Sequence, residues 1–314
     1  MTSVFIVILL MSLTGTVHLF VLSICRVAVK NKFSATWYYL MYILAMFFLF
    51  VPIGIAGSGI YAGISGSALG WLPNIAAVLG GVFTPGLSFI PYVWLIGAVS
   101  FIIWHVAQLM VFKRRILRTS LEIQDDVRLS TLRDCLTQIG IRRNFRFFSS
   151  DAVKTPMLIG LFKVFLILPE VEMTEDEVSV ILKHELIHLK RHDLWAKSLA
   201  LLANAIHWFN PVTYRLTKNI HTFCELSCDE QVVSDMSMEE RRFYGETILN
   251  VICRVANQHP GVYATLAETK RGIEKRLTNI MNVKKASKRI AFLAVTVAVA
   301  LFVVCSAMAS IVFF

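Results

Sequence analysis

Between Phe33 and Phe112 the chain contains no lysine, arginine, aspartate or glutamate. Soluble domains cover their surfaces with such residues, so this gap excludes an ordinary soluble enzyme. A hydrophobic content of 56% and a mean hydropathy of +0.64 exclude it again. Acid is scarce elsewhere: 21 Asp and Glu stand against 31 Lys and Arg, for a net charge of +10. Such an excess suits nucleic acid or anionic lipid. Distribution decides between them, because the charges flank and follow the apolar block, as membrane anchoring requires. No direct contact with nucleic acid is expected. A disulfide framework is also missing. Cys25, Cys135, Cys224, Cys228, Cys253 and Cys305 show no paired spacing, and two lie in apolar runs; they read as reduced thiols in a cytosol-facing protein. The first apolar run has neither a basic leader nor a small-residue cleavage site. It reads as a span and not as a removable signal.

What is present organises around the bilayer. Crossing it takes about 20 apolar residues in a helix, and four stretches qualify: residues 4–24, 37–55, 92–112 and 290–314. Trp37, Tyr38, Tyr39, Tyr92 and Trp94 sit at span edges, where amphipathic rings favour the interface. Arg26, Lys30 and Lys32 follow the first span; Lys113, Arg114, Arg115 and Arg118 follow the third; Lys284, Lys285, Lys288 and Arg289 precede the fourth. By the positive-inside rule all three clusters are cytoplasmic, so both termini and the uncharged segment 56–91 lie outside. Glycines and prolines interrupt that segment, which favours a re-entrant or surface-lying loop over a fifth span. Residues 1–112 thus form a membrane region, 113–289 one cytoplasmic domain, and 290–314 the last helix. The fold class expected is a mainly α membrane protein with an α+β domain between its third and fourth spans.

Inside that domain, Ile116 to Ile139 has helical spacing and ends near Gly140. Phe145 to Phe148 and Leu158 to Leu168 read as short strands, with Gly160 as a turn and Pro169 as a stop. Thr174-Glu-Asp-Glu177 is a capping box that opens a helix. This helix carries His184-Glu185-Leu186-Ile187-His188. Positions four apart share a helix face, so His184 and His188 can reach one metal ion, and Glu185 is placed to take a proton from water. Zinc fits the ligand types, without excluding other divalent ions. A third protein ligand is needed. The candidates are His192, His207, His221, Glu225, Cys228 and Asp229. His192 lies a turn too far along an unbroken helix, and His207 and His221 read as structural. Glu225 is favoured over the Cys228 thiol, because Glu225 and Asp229 are carboxylates four apart on a helix otherwise poor in charge. Glu225 then supplies a ligand, and Asp229 orients a ligating histidine.

The wording around these residues is His184-Glu-Leu-Ile-His-Leu-Lys-Arg-His-Asp193, His207-Trp-Phe-Asn-Pro211 and Glu225-Leu-Ser-Cys-Asp-Glu230. It resembles the gluzincin pattern and, more narrowly, the BlaR/MecR-type membrane metallopeptidases of bacteria, the antirepressor signal transducers of beta-lactam resistance. The resemblance implies a gluzincin-like zinc peptidase in the bacterial plasma membrane. It implies that His184, His188 and Glu225 bind zinc, that Glu185 is the general base, and that Asp229 supports the site. A cytoplasmic repressor as substrate and self-cleavage on activation are implied as well. Those transducers carry a penicillin-binding sensor after the fourth span, acylated at the serine of S-x-x-K. Here Ser150 lacks a lysine three residues on, and Lys154-Thr155 is followed by Pro156. Beta-lactam sensing is therefore not carried over: the chain reads as a truncated transducer, or as a relative that senses something else through its loop, a sensor partner or a second copy.

Three functions fit these observations: a regulatory peptidase acting on a repressor, which is favoured; a membrane quality-control zinc peptidase; and a non-catalytic receptor, against which the intact Glu185 argues. The oxyanion helper stays open among Tyr244, His207 and His221. The strand Phe162 to Leu168 reads either as an edge for an extended substrate or, equally, as part of an ordinary core hairpin. Arg254 to Arg289 carry nine basic and two acidic side chains. They read as a lipid-facing flank, with a self-cleavage site in this linker as the sharper alternative.

Overall fold

A computed structural model of the chain describes residues 1–28, 33–52, 87–142, 145–258, 266–283 and 288–313. Most of the expected outer loop, the end of the second span, and Lys30, Lys32, Lys284 and Lys285 lie outside these residues. The molecule is mainly helical and divides into two compact units. The first comprises Met1–His105, Ser198–His221 and Ala286–Phe314; the second comprises Val106–Lys197 and Thr222–Lys285. Within the expected domain 113–289, residues 198–221 cluster with the apolar helices.

In the first unit, α1 (Thr2–Ala28) packs against α2 (Ala35–Phe50) and α10 (Lys288–Phe313). Gly15 lets α1 approach Leu49 so closely that a Cβ would overlap it. The indole of Trp37 donates to the Ala294 carbonyl (2.9 Å), tying α2 to α10. Ser34 caps α2 through the Trp37 amide, and Val51-Pro52 follows its end. At 16 residues α2 is shorter than the expected span, because the residue before a proline is pushed out of the helical region. Among the described residues, Val4–Val27 and α3 (Ile90–Thr119) are long and apolar enough to cross a membrane, while α2 and Phe292–Val304 of α10 are shorter apolar helices.

The reason residues 198–221 join this unit is the turn between α6 (Asp193–Ile206) and α7 (Pro211–Val232). The Asn210 amide nitrogen donates to Ser12 Oγ (2.7 Å) and Thr16 Oγ1 (2.9 Å) of α1, while its oxygen accepts from the Val212 amide and caps α7. His207 Nε2 bonds to the Leu49 carbonyl (2.9 Å), and Trp94 and Trp208 donate to the carbonyls of Ile206 and Trp94. A turn buried among apolar helices must satisfy its backbone groups this way.

The second unit is built on a four-stranded sheet in the order β1-β2-β4-β3. Its strands are β1 (Leu121–Glu122), β2 (Arg146–Ser150), β3 (Met157–Ile159) and β4 (Phe165–Pro169). β2 and β4 run parallel, with Phe147 opposite Leu166; the outer pairs are antiparallel. Alternation sorts β4 between two layers. Leu166 and Leu168 enter a core with Leu132 and Cys135 of α4 (Asp126–Ile139), Leu182 and Leu186 of α5 (Glu175–Lys190), and Val251 and Val255 of α8 (Met238–Gln258). Ile167 points the other way, into a cluster with Ile116 and Leu117 of α3. α9 (Leu266–Asn282) packs on α8.

Two local expectations change. The single helix expected over Ile116–Ile139 is split. α3 ends at Thr119, β1 pairs with β2, and Asp125 caps a new helix through the Val127 amide, which ends at Gly140 in the left-handed region. The strand read as a substrate edge or as part of a core hairpin, ending at Leu168, is interior, and β3 is the edge instead. Gly160 joins β3 to β4 with φ +100°, and a Cβ there would collide with the Lys163 carbonyl. Gly160→Ala is expected to destabilise the second unit by at least about 2 kcal/mol, read as a fall in the apparent melting temperature.

Candidate metal centre

The capping box predicted for α5 forms as drawn. Thr174 Oγ1 accepts from the Glu177 amide and Glu177 accepts from the Thr174 amide. Arg254 of α8 grips the same Glu177 carboxylate with both terminal nitrogens, at 2.8 and 2.9 Å. The start of α5 is thus fixed, and His184, Glu185 and His188 are buried along its face.

α7 lies against that face. His184 Nε2 and His188 Nε2 are 3.1 Å apart, and each is 3.6 Å from an oxygen of Glu225. The other ring nitrogens are engaged. His184 Nδ1 bonds to the Tyr244 hydroxyl (2.8 Å), which donates to Asp229 Oδ1 (2.6 Å). His188 Nδ1 bonds to Asp193 Oδ2 (2.7 Å). A proton held on Nδ1 leaves the Nε2 lone pair for a cation. Asp229 has no exposed surface and receives two further bonds of 2.8 Å from Arg276 of α9. Lys197 Nζ bonds to Glu225 Oε1 at 3.2 Å, and Arg276 approaches the other oxygen at 3.8 Å.

The arrangement is acidic in character. Burial alone would raise Glu225, yet the two imidazoles and Lys197 hold it well below the usual carboxylate range. Burial opposes charge on His184 and His188, but the acids and thiols around them hold both well above the ordinary histidine value. Burial likewise opposes ionisation of Asp229, which the Arg276 guanidinium overrides, bringing it down to about 2. Protons collect where a cation would bind, as metal sites built from these groups require.

His184, Glu185, His188 and Glu225 line one cavity of about 400 Å³, with Met157 and Leu158 of the edge strand on its wall. Three donors placed about 2.0–2.1 Å from a tetrahedral zinc lie about 3.3 Å from each other, close to the spacings here, so the site fits that ion. Two other donor groups lie close together, His184/His188/Cys228 and His188/Asp193/Cys224. The cavity walls include neither cysteine, and the Cys228 thiol donates to the His184 carbonyl (3.4 Å). Glu225, unlike either cysteine, is on the cavity wall.

The remaining sequence candidates separate cleanly. His192 is not on α5 at all. It takes the left-handed conformation (φ 59°) just beyond the helix end, where Asp193 turns back to His188. His207 and His221 belong to the first unit. Tyr244 is committed to His184 and Asp229. Two residues that sequence reasoning left without a role, Asp193 and Arg276, complete the network. Asp193 follows the motif within five residues; Arg276 has no spacing signal.

Paired histidines on α5, a glutamate on α7 and carboxylates behind both histidines define a candidate peptidase metal centre. Comparison narrows the class: residues 77–280 match the family described as BlaR1 peptidase M56, and the chain belongs to that family. It is 27% identical over 201 residues to the regulatory protein BlaR1 of Bacillus licheniformis, covering 62% of this chain and 33% of that protein. It is 37% identical over 103 residues to the methicillin resistance mecR1 proteins of Staphylococcus aureus and Staphylococcus epidermidis, covering 32% of this chain and 18% of each relative. The match thus spans a third or less of those relatives' length.

Asp229 contributes stability that is fully present above the unfolded carboxylate value of about 3.9 and is lost as pH falls through about 2. Asp229→Asn is expected to lower the melting temperature near neutrality, where it strands the Arg276 charge, and to flatten the decline between about pH 4 and pH 2. A melting-temperature series against pH checks both.

Proposed function

We propose that this protein is an integral-membrane zinc peptidase that transduces a signal by cutting a cytoplasmic repressor and itself. The observation that carries the reading is one cavity shared by His184, Glu185, His188, Glu225 and a free strand edge. In this reading α1, α2, α3 and α10 are the four spans, with the peptidase unit on the cytoplasmic side and both termini outside. The exposure of α3 supports it. Its apolar Ile96, Ile103, Trp104 and Val111 point outward, as in a helix facing lipid and unlike one in a soluble core.

His184, His188 and Glu225 hold the ion, and Asp193 and the Tyr244–Asp229 pair hold the two imidazoles in the ligating tautomer. Zinc when bound supplies Lewis acidity at the scissile carbonyl and a lowered pKa for water. Glu185 takes the proton of the attacking water and delivers it to the leaving amine. Lys197 and Arg276 fix the two oxygens of Glu225. The β3 edge accepts an extended segment of substrate by strand addition. Its apolar neighbours Val180, Ile181 and Ile248 favour an apolar side chain beside the cut bond.

Glu185→Gln is expected to keep the metal but lower cleavage of a purified repressor, and of the chain itself, by about 10²- to 10⁴-fold. Mass spectrometry of wild type and variant decides, and identical fragment patterns refute the reading. Cleavage of unfolded membrane proteins but of no repressor would assign it to quality control instead. Asp193→Ala is expected to weaken zinc binding by about 10- to 100-fold in chelator competition. Affinity should fall as pH drops, because His184 and His188 hold their protons well above the ordinary value.

A further inference from the structure

The loop between β3 and β4 carries an aromatic side chain that the core does not use. Phe162 is 75% exposed, and its ring meets that of Trp195, itself 41% exposed, edge-on at 5.3 Å. Lys163 beside it is exposed as well. In water this pair leaves apolar area unburied.

The position of the loop explains the exposure. Ile159 and Phe165, the residues flanking it, pack against the buried cluster that includes Ile116 of α3. Lys113 Nζ lies over the Phe165 ring at 5.1 Å. Lys113 is the first charged residue after Lys32, so it marks where α3 leaves its apolar stretch. From Phe112 to Ile116 the helix rises about 6 Å. The polar layer on each side of the hydrocarbon core is about 5–8 Å deep. The flanks of the loop are therefore tied to the turn of α3 that follows its apolar stretch, about one headgroup layer's depth beyond it. Phe and Trp rings favour that layer, and a lysine stem can lie along it with its charge on anionic headgroups.

We propose that Phe162, Trp195 and Lys163 form a lipid-interface anchor that seats the peptidase unit against the anionic leaflet at the Lys113 end of α3. The inference rests on α3 crossing the bilayer, and the test separates the two. Full-length protein, with Cys25, Cys253 and Cys305 replaced by Ser, is reconstituted in phosphatidylcholine–phosphatidylglycerol vesicles. Single nitroxide labels are placed through Phe162→Cys, Ile103→Cys in the apolar stretch of α3, and Gln138→Cys on α4, which covers the opposite face of the sheet. The ratio of collisions with oxygen to collisions with a water-soluble nickel chelate is measured at each. The expected ratio at position 162 is severalfold above that at 138 and approaches that at 103. A ratio at 162 equal to that at 138, with 103 in lipid, overturns the anchor and leaves the span. A label at 162 shielded from both reagents means that a protein surface covers the loop, which also overturns it. A water-exposed label at 103 overturns the span and the anchor together.

Discussion

A carboxylate with no exposed surface, Asp229, is tolerable only because three donors or relays meet it. Stripped of partners, such a group costs several kcal/mol in desolvation. Arg276 supplies a bidentate charge, Tyr244 a hydroxyl, and His184 an imidazole beyond it. Four helices, α5, α7, α8 and α9, are therefore joined at one point by a requirement that none can meet alone. The orientation of His184 follows from it, and so does the spacing of the two Nε2 atoms to Glu225. The hydrophobic clusters around Leu182 and Ile280 pack these helices, but the acid decides how they are turned.

Much of this was readable because the signals were local. The capping box at Thr174, the i, i+4 histidines and the i, i+4 pair Glu225 and Asp229 all depend on helical periodicity, and the structure places each on the expected helix. The C-cap at Gly140 and the turn at Gly160 were readable from the left-handed backbone that glycine permits. What failed was non-local. Strand order cannot be derived from alternation, so the strand ending at Leu168 was left between edge and core hairpin, and the edge at Met157–Ile159 was not seen. Asp193 reaches His188 only because His192 adopts a left-handed conformation, and periodicity beyond a helix end carries no such information. Arg276 lies 47 residues from its partner with no motif between them.

The apolar unit obeys a related rule with weaker groups. Asn210 satisfies Ser12, Thr16 and the first turn of α7 at once, and Trp94 and Trp208 cap exposed carbonyls nearby. These are neutral bonds, suited to surroundings where a charge would be expensive. They account for the grouping of residues 198–221 with the apolar helices. Composition marked where the apolar runs lie, yet it could not reveal that a polar turn belongs among them.

The chain order of the network has a consequence for synthesis. Asp229 emerges before Arg276 by 47 residues, which at about 5–20 residues per second is an interval of about 2–9 s. Throughout it the acid lacks its strongest partner and cannot be sealed from water without penalty. Tyr244 arrives 15 residues after the acid and offers only a neutral hydroxyl. The centre can close only when α9 has left the ribosome, by which time the rest of the peptidase unit already exists. Until then the four helices that meet at Asp229 cannot lock together.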